Sequence, residues 1–226
     1  MSSPSIIHDP VDVLALERAC KELPLFPLPN VVFLPHSLLP LHVFEPRYRA
    51  LVRYCLDRHR FMAVPRLQPG WENDYEGRPP IFSRVGVGRV IRHQELPDGR
   101  FYIVLEGLRR AEITQETDRS RSFRLAEAQL ISPLSAQSNK HQGTIGRVKM
   151  LVAQLLAQGI GRDAGLEQLL EWDLPVDELL DRLAHASIRD PEERQSYLET
   201  AALSQRTEIV TSALAAALIS PEALNA

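Results

Sequence analysis

Residues 24–51 read PLFPLPNVVFLPHSLLPLHVFEPRYRAL. Six prolines fall within these 28 residues, yet the residues between them are strongly apolar. A disordered proline-rich linker would be polar, and a regular central strand would exclude proline, which has no N–H to give to a ladder. Short apolar β segments bounded by proline fit a small, strongly bent sheet or barrel, where the chain turns often and edges must be blunted. Residues 25–26, 31–34 and 39–44 are the three such segments expected here.

Outward from this stretch, Pro46 opens a helix with Tyr48, Leu51, Val52, Cys55 and Leu56 along one stripe, the spacing of an amphipathic helix. Upstream, Asp9-Pro10 has the form of a helix cap followed by proline, with a short helix to Cys20. Residues 61–64, FMAV, form a buried strand. Residues 66–80 form a polar loop carrying Trp71 and Tyr75. From 84 to 113 the pattern is a hairpin turning at Pro97-Asp98-Gly99, with Phe101, Ile103 and Leu105 on one face and Gly107 marking a bulge or corner. Residues 123–131 are one more strand.

Beyond residue 132 the apolar period changes from two to 3.6. Stripes through Val148, Leu151, Val152 and Leu155, through Val176, Leu179, Leu180 and Leu183, and through Val210, Ala213, Leu214 and Ala217 predict helices. Asp190, Pro191 and Glu193 carry the start of another. The expected class is α+β, with a β-rich subdomain over 1–132 and a helical bundle over 133–226.

Composition narrows the function. With 26 basic and 29 acidic side chains the net charge is -3, which argues against a general nucleic-acid binder. Arginines 47, 49, 53, 58 and 60 cluster locally, as a solvated helix face does. No apolar run reaches the ~18 residues of a membrane span, and no secretory leader is recognisable. Two cysteines, Cys20 and Cys55, make neither a disulfide framework nor a metal quartet, which suits a reducing cytoplasm. The seven histidines are scattered, so no metal site or cofactor is expected. Phosphate-cradle, nucleophile-elbow and zinc-protease motifs are missing, so no catalytic residue is expected. The glycines of GVGRV (86–90) run on into strand residues, not into the helix a phosphate loop requires.

The opening stretch, as LPLFPLPNVVFLPHSLLPLHVFEPRYRALV, resembles the start of the LON domain, the N-terminal substrate-recognition domain of Lon proteases. Its PLHVFEPRYRALV form looks most like short standalone bacterial LON-domain proteins. ELPDGRFYIVLEGLRRAEI is similar to the family's second signature, with Gly107, Arg110 and Ile113 in register and Ala111 where a larger apolar residue is usual. In the helical half Leu180, Asp181, Ala184, Gln195, Leu198, Glu199 and Arg206 match a third pattern. The resemblance runs over about 23–218. It implies a PUA-like pseudo-barrel followed by a helical bundle. It also implies a non-catalytic module that binds unfolded or degron-bearing polypeptide, as an adaptor or chaperone-like factor beside a protease or chaperone. RNA binding is the alternative that PUA-like folds allow. An extended peptide would pair with an exposed strand edge. The candidate contacts are Phe33, Phe44, Tyr48, Trp71 and Tyr75, with Arg47 and Arg110 as charge partners. Core packing competes for Phe33, Phe44 and Tyr48, and a loop-pinning role competes for Trp71 and Tyr75.

Overall fold

The computed structural model describes residues 13–75, 77–117, 120–132, 142–161, 165–171 and 174–220. The Asp9-Pro10 helix start expected from the sequence lies outside them. Among the described residues the order is α1 (Val13–Ala19), β1 (Leu23–Leu25), β2 (Leu38–Val43), α2 (Pro46–Leu56), β3 (Phe61–Val64), β4 (Arg84–Glu95), β5 (Phe101–Glu116), β6 (Arg124–Leu130), then α3 (Gln142–Ala157), α4 (Leu166–Glu171), α5 (Val176–Ser187), α6 (Pro191–Glu199) and α7 (Leu203–Ile219). The α+β class is observed. Alternation gives way to helical periodicity where β6 ends, and α4 is an element the sequence did not announce.

The six strands form one mixed sheet in the order β2-β5-β4-β3-β1-β6, and β6 pairs again with β5. Five strands therefore close a ring, with β2 added outside it. The long β5 makes this possible. Its first half, Phe101 to Glu106, pairs with β2, and its second half, Ala111 to Glu116, pairs with β6. Between them the register against β4 slips, with Gly88 opposite Gly107 and Val87 opposite Arg109. The unpaired Leu108 is a bulge, which bends a strand and increases its twist.

The proline-rich stretch resolves differently from expectation at one point. Residues 38–43 are a strand, but 31–34 join no ladder. That segment is extended and passes between sheet and helices. Val32 and Leu34 pack into the helical core with Leu180, Tyr197 and Leu214. Phe33 packs into the sheet core with Val90, Phe101 and Leu105. Burial on both sides explains why every residue of the run is apolar. The glycines of 86–90 have the same cause. A Cβ at Gly86 would lie 1.9 Å from the Phe33 carbonyl oxygen, and one at Gly107 2.1 Å from that of Leu34. They are spaces for a crossing chain.

Buried polar contacts join the halves. Gln195 on α6 donates to the Arg84 carbonyl at 3.1 Å, and Arg66 donates to the Pro191 carbonyl at 3.2 Å and to the Glu192 carboxylate. Asp190 caps α6 by accepting from the Glu193 N–H at 2.9 Å, as its sequence announced.

Candidate functional site

Two surfaces carry candidate residues. The first is the outward face of β2. This strand pairs with β5 alone among the described residues, so one edge keeps free backbone donors and acceptors. Its residues alternate. Val43 faces inward and is buried, with Leu39 and Leu41 packed against the same sheet core, while Leu38, Pro40 and His42 face solvent. Phe44 continues the outward row and is 58% exposed. Across the ladder Tyr102 stands opposite His42 and is 51% exposed. The His42 and Tyr102 rings stack at 4.7 Å, and the Phe44 ring lies 5.8 Å from that of His42. A shallow cleft of about 530 Å³ runs from Pro40 and His42 across Tyr102 to Arg92 and Gln94 on β4. Proline at Pro40 is compatible with the edge position, and apolar rings beside an open edge are an arrangement that extended peptides can use.

The second surface lies where the chain leaves β2. Glu45 precedes α2 with extended backbone, and its carboxylate does not cap the helix. It accepts from Arg47 Nε at 3.0 Å and from the Tyr75 hydroxyl at 2.8 Å. Arg47 also donates from Nη1 to the Tyr75 carbonyl at 3.1 Å. Its guanidinium sits between the Tyr48 and Tyr75 rings, 4.9 and 5.0 Å from their centres, within cation–π range. Burial opposes the Arg47 charge, but Tyr48 and Glu45 outweigh it and hold the pKa above its ordinary value. Burial pushes the Tyr48 phenol up to about 12. Burial, with the hydrogen bond to Glu45, also raises Tyr75. Both phenols stay neutral beside a fixed cation. Beside this clamp opens a cleft of about 210 Å³, walled by Tyr75, Arg78 and Pro79 on one side and by residues 121–124 on the other.

The sequence candidates separate on these surfaces. Phe44 lies on the β2 face. Arg47, Tyr48 and Tyr75 converge at the clamp, and Trp71 meets Tyr75 edge to face at 5.4 Å. Trp71 belongs to a short 3-10 turn, 71–74, and is half-buried. Phe33 is 2% exposed and fills the sheet core, so it makes no surface contact. Most of Tyr48 is likewise core. It stacks on Phe26 at 4.3 Å and donates to the Pro27 carbonyl at 3.1 Å. Arg110 is turned to the helical half, where it pairs with Asp181, instead of standing at a peptide surface. Leu38, Pro40, His42 and Tyr102 were missed. The signal was the alternation of residues 38–44, which puts three apolar residues and a histidine on one face.

Among the described residues no group of three His, Cys, Asp or Glu could hold a metal, and no helix is long and apolar enough to cross a membrane.

A family model described as the ATP-dependent protease La (LON) substrate-binding domain matches residues 22–216. The Lon protease of Erwinia amylovora is 26% identical over 190 residues, covering 78% of this chain and 24% of that protein. The Lon protease of Escherichia coli (strain K12) is 25% identical over the same length and shares. The chain thus spans about a quarter of the length of these curated relatives. In fold it is similar to the N terminal domain of Mycobacterium avium complex Lon protease, with TM-score 0.67 at 16% identity, covering 86% of this chain and 98% of that one. A Lon N-terminal domain protein from Xanthomonas campestris gives TM-score 0.60 at 23% identity, covering 85% and 98%.

Proposed function

The chain belongs to the ATP-dependent protease La (LON) substrate-binding domain family, and on that premise we propose that it binds extended segments of unfolded or degron-bearing polypeptide along the outward face and open edge of β2. The observation that carries this is the row of Leu38, Pro40, His42 and Phe44, with Tyr102 beside it, next to a strand edge without a partner among the described residues. Backbone bonding to the edge supplies affinity for any extended chain, and the rings supply preference for apolar side chains. The module acts without catalysis, as an adaptor or chaperone-like factor in cytoplasmic protein quality control. The strand ring supports a PUA-like pseudo-barrel as its scaffold.

Reduced, carboxymethylated α-lactalbumin, labelled for fluorescence anisotropy, serves as the unfolded probe. Phe44→Ala combined with Tyr102→Ala should weaken its binding by about tenfold or more, since exposed aromatic anchors dominate such contacts. Both side chains are more than half exposed, so the melting temperature should hardly move. Unchanged affinity would remove the β2 face from the site. Tight binding of a labelled single-stranded RNA that is lost steeply with added salt would instead favour RNA, whose recognition rests on phosphate contacts.

A further inference from the structure

We propose that the cleft beside the Arg47 clamp is a carboxylate site, and that it takes the C-terminal residue of a polypeptide whose last side chain is apolar. This rests on the polypeptide-binding function above and adds to it a second, end-specific subsite. Four charged residues line the cleft, Arg47, Arg78, Arg121 and Arg124, and all are arginine, in a chain whose net charge is -3. The carboxylates that balance them stand behind the lining. Glu45 holds Arg47, and Glu116 holds Arg78 and Arg124.

The arginines differ in what they have left to give. Arg124 is saturated, with Nε and Nη2 on Glu116 and Nη1 on the Pro79 carbonyl. Arg78 is held loosely, with Nη1 3.3 Å from Glu116 and Nη2 3.5 Å from the Arg121 carbonyl. Arg47 is ion-paired, with Nη2 2.9 Å from Glu45 Oε2, so the weakly held Arg78 has the most left to give a ligand. A carboxylate is the acceptor that a planar guanidinium recognises best.

Apart from Ser122 and the two tyrosine hydroxyls, the other side chains that line the cleft are apolar. Pro27, Tyr48, Leu67 and Phe123 contribute to its walls. Its volume of about 210 Å³ is below the ~300–1,000 Å³ typical of drug-sized ligands, which suits one residue. A C-terminal residue carries its side chain and its carboxylate on the same carbon, so it can satisfy wall and rim together. An internal aspartate or glutamate would bring flanking peptide groups into an apolar space where they lack partners.

The test uses a labelled pentapeptide ending in phenylalanine as the free acid, its C-terminal amide, and an amidated peptide with an internal aspartate, all titrated by anisotropy. The free acid should bind about tenfold or more tightly than either competitor, the value of a charge-assisted contact. Arg78→Ala and, separately, Arg47→Gln should erase that preference. Arg78 is part-exposed, so Arg78→Ala should keep the wild-type melting temperature and serves if Arg47→Gln is poorly folded. Equal binding of acid and amide, equal binding of the internal aspartate, no binding of the free acid, or a preference unchanged in Arg78→Ala would each overturn the assignment. The two sites fail separately. If the Phe44 and Tyr102 variants weaken lactalbumin binding while acid and amide bind alike, only the carboxylate site is lost. If the acid preference holds while those variants change nothing, only the β2 site is lost.

Discussion

Arg110 on β5 and Asp181 on α5 meet through two hydrogen bonds, Nη1 to Oδ2 at 2.9 Å and Nη2 to Oδ1 at 2.7 Å. The pair is almost fully enclosed, with side chains 10% and 3% exposed. Asp181 also accepts from the Tyr197 hydroxyl at 2.7 Å and from Arg206, so one carboxylate ties β5 to α5, α6 and α7. Burial opposes the Arg110 charge, and Asp181 more than offsets it, raising the pKa. Asp181→Ala would leave two buried guanidinium groups without their shared counter-charge. It should destabilise the fold by ~3–5 kcal/mol, the cost of breaking a buried pair from one side. Urea unfolding followed by circular dichroism measures this. A loss below ~1 kcal/mol would mean that water reaches the pair.

His36 connects stability to pH at the same boundary. Its backbone is left-handed, φ 60°, and its N–H donates to the Gly107 carbonyl at 2.8 Å. Its Nδ1 lies 3.7 Å from Glu178. Burial lowers its pKa, opposed by Glu178, Asp181 and Asp177 and assisted by Arg182. A folded pKa below the unfolded ~6.5 means that the unfolded chain binds the proton more readily. The contribution of His36 to stability should therefore be level above about pH 6.5 and fall as pH drops below it, by no more than ~1.4 kcal/mol per pH unit. Asparagine tolerates the left-handed backbone, so His36→Asn removes the titration without straining the turn. Its urea midpoint should fall less than that of the wild type between about pH 7.5 and about pH 5.5. Parallel losses in the two proteins would assign the pH dependence to other groups.

The sequence made the amphipathic elements legible, because their signals are local. The stripe of Tyr48, Leu51, Val52 and Cys55 and the cap at Asp190 needed only neighbours three or four positions away. The segment 31–34 misled for a physical reason. A run buried on two sides looks like a strand whether its backbone pairs with a sheet or merely crosses one, and Gly86, Gly88 and Gly107, which make room for the crossing, lie more than fifty positions on. Arg110 misled in the same way. An arginine on a strand reads as a surface charge until Asp181, 71 positions later, is seen to face it. The β2 face is encoded as an alternation over residues 38–44, with Leu38 and Phe44 projecting outward, but proline within the same run is also the signature of turns.

Tyr75 and Trp71 divide the work of the loop over 66–80, and two variants separate them. Tyr75 is tied to Glu45 through its hydroxyl and to Arg47 through its carbonyl, so Tyr75→Phe should cost about 1 kcal/mol of stability, the value of one hydrogen bond. Trp71 touches the loop through the Tyr75 ring. Long loops often carry function, and a tryptophan brings large area at small entropic cost. Trp71 is expected to anchor client polypeptide, so that Trp71→Ala weakens lactalbumin binding by up to ~30-fold, equivalent to ~2 kcal/mol, with the melting temperature nearly unchanged. If Trp71 instead staples the loop, the melting temperature falls and binding declines only as far as folding does. A lower melting temperature with wild-type affinity would take Trp71 out of the binding surface and leave Tyr75, through its place in the cleft wall, as the loop's only aromatic contact with a client.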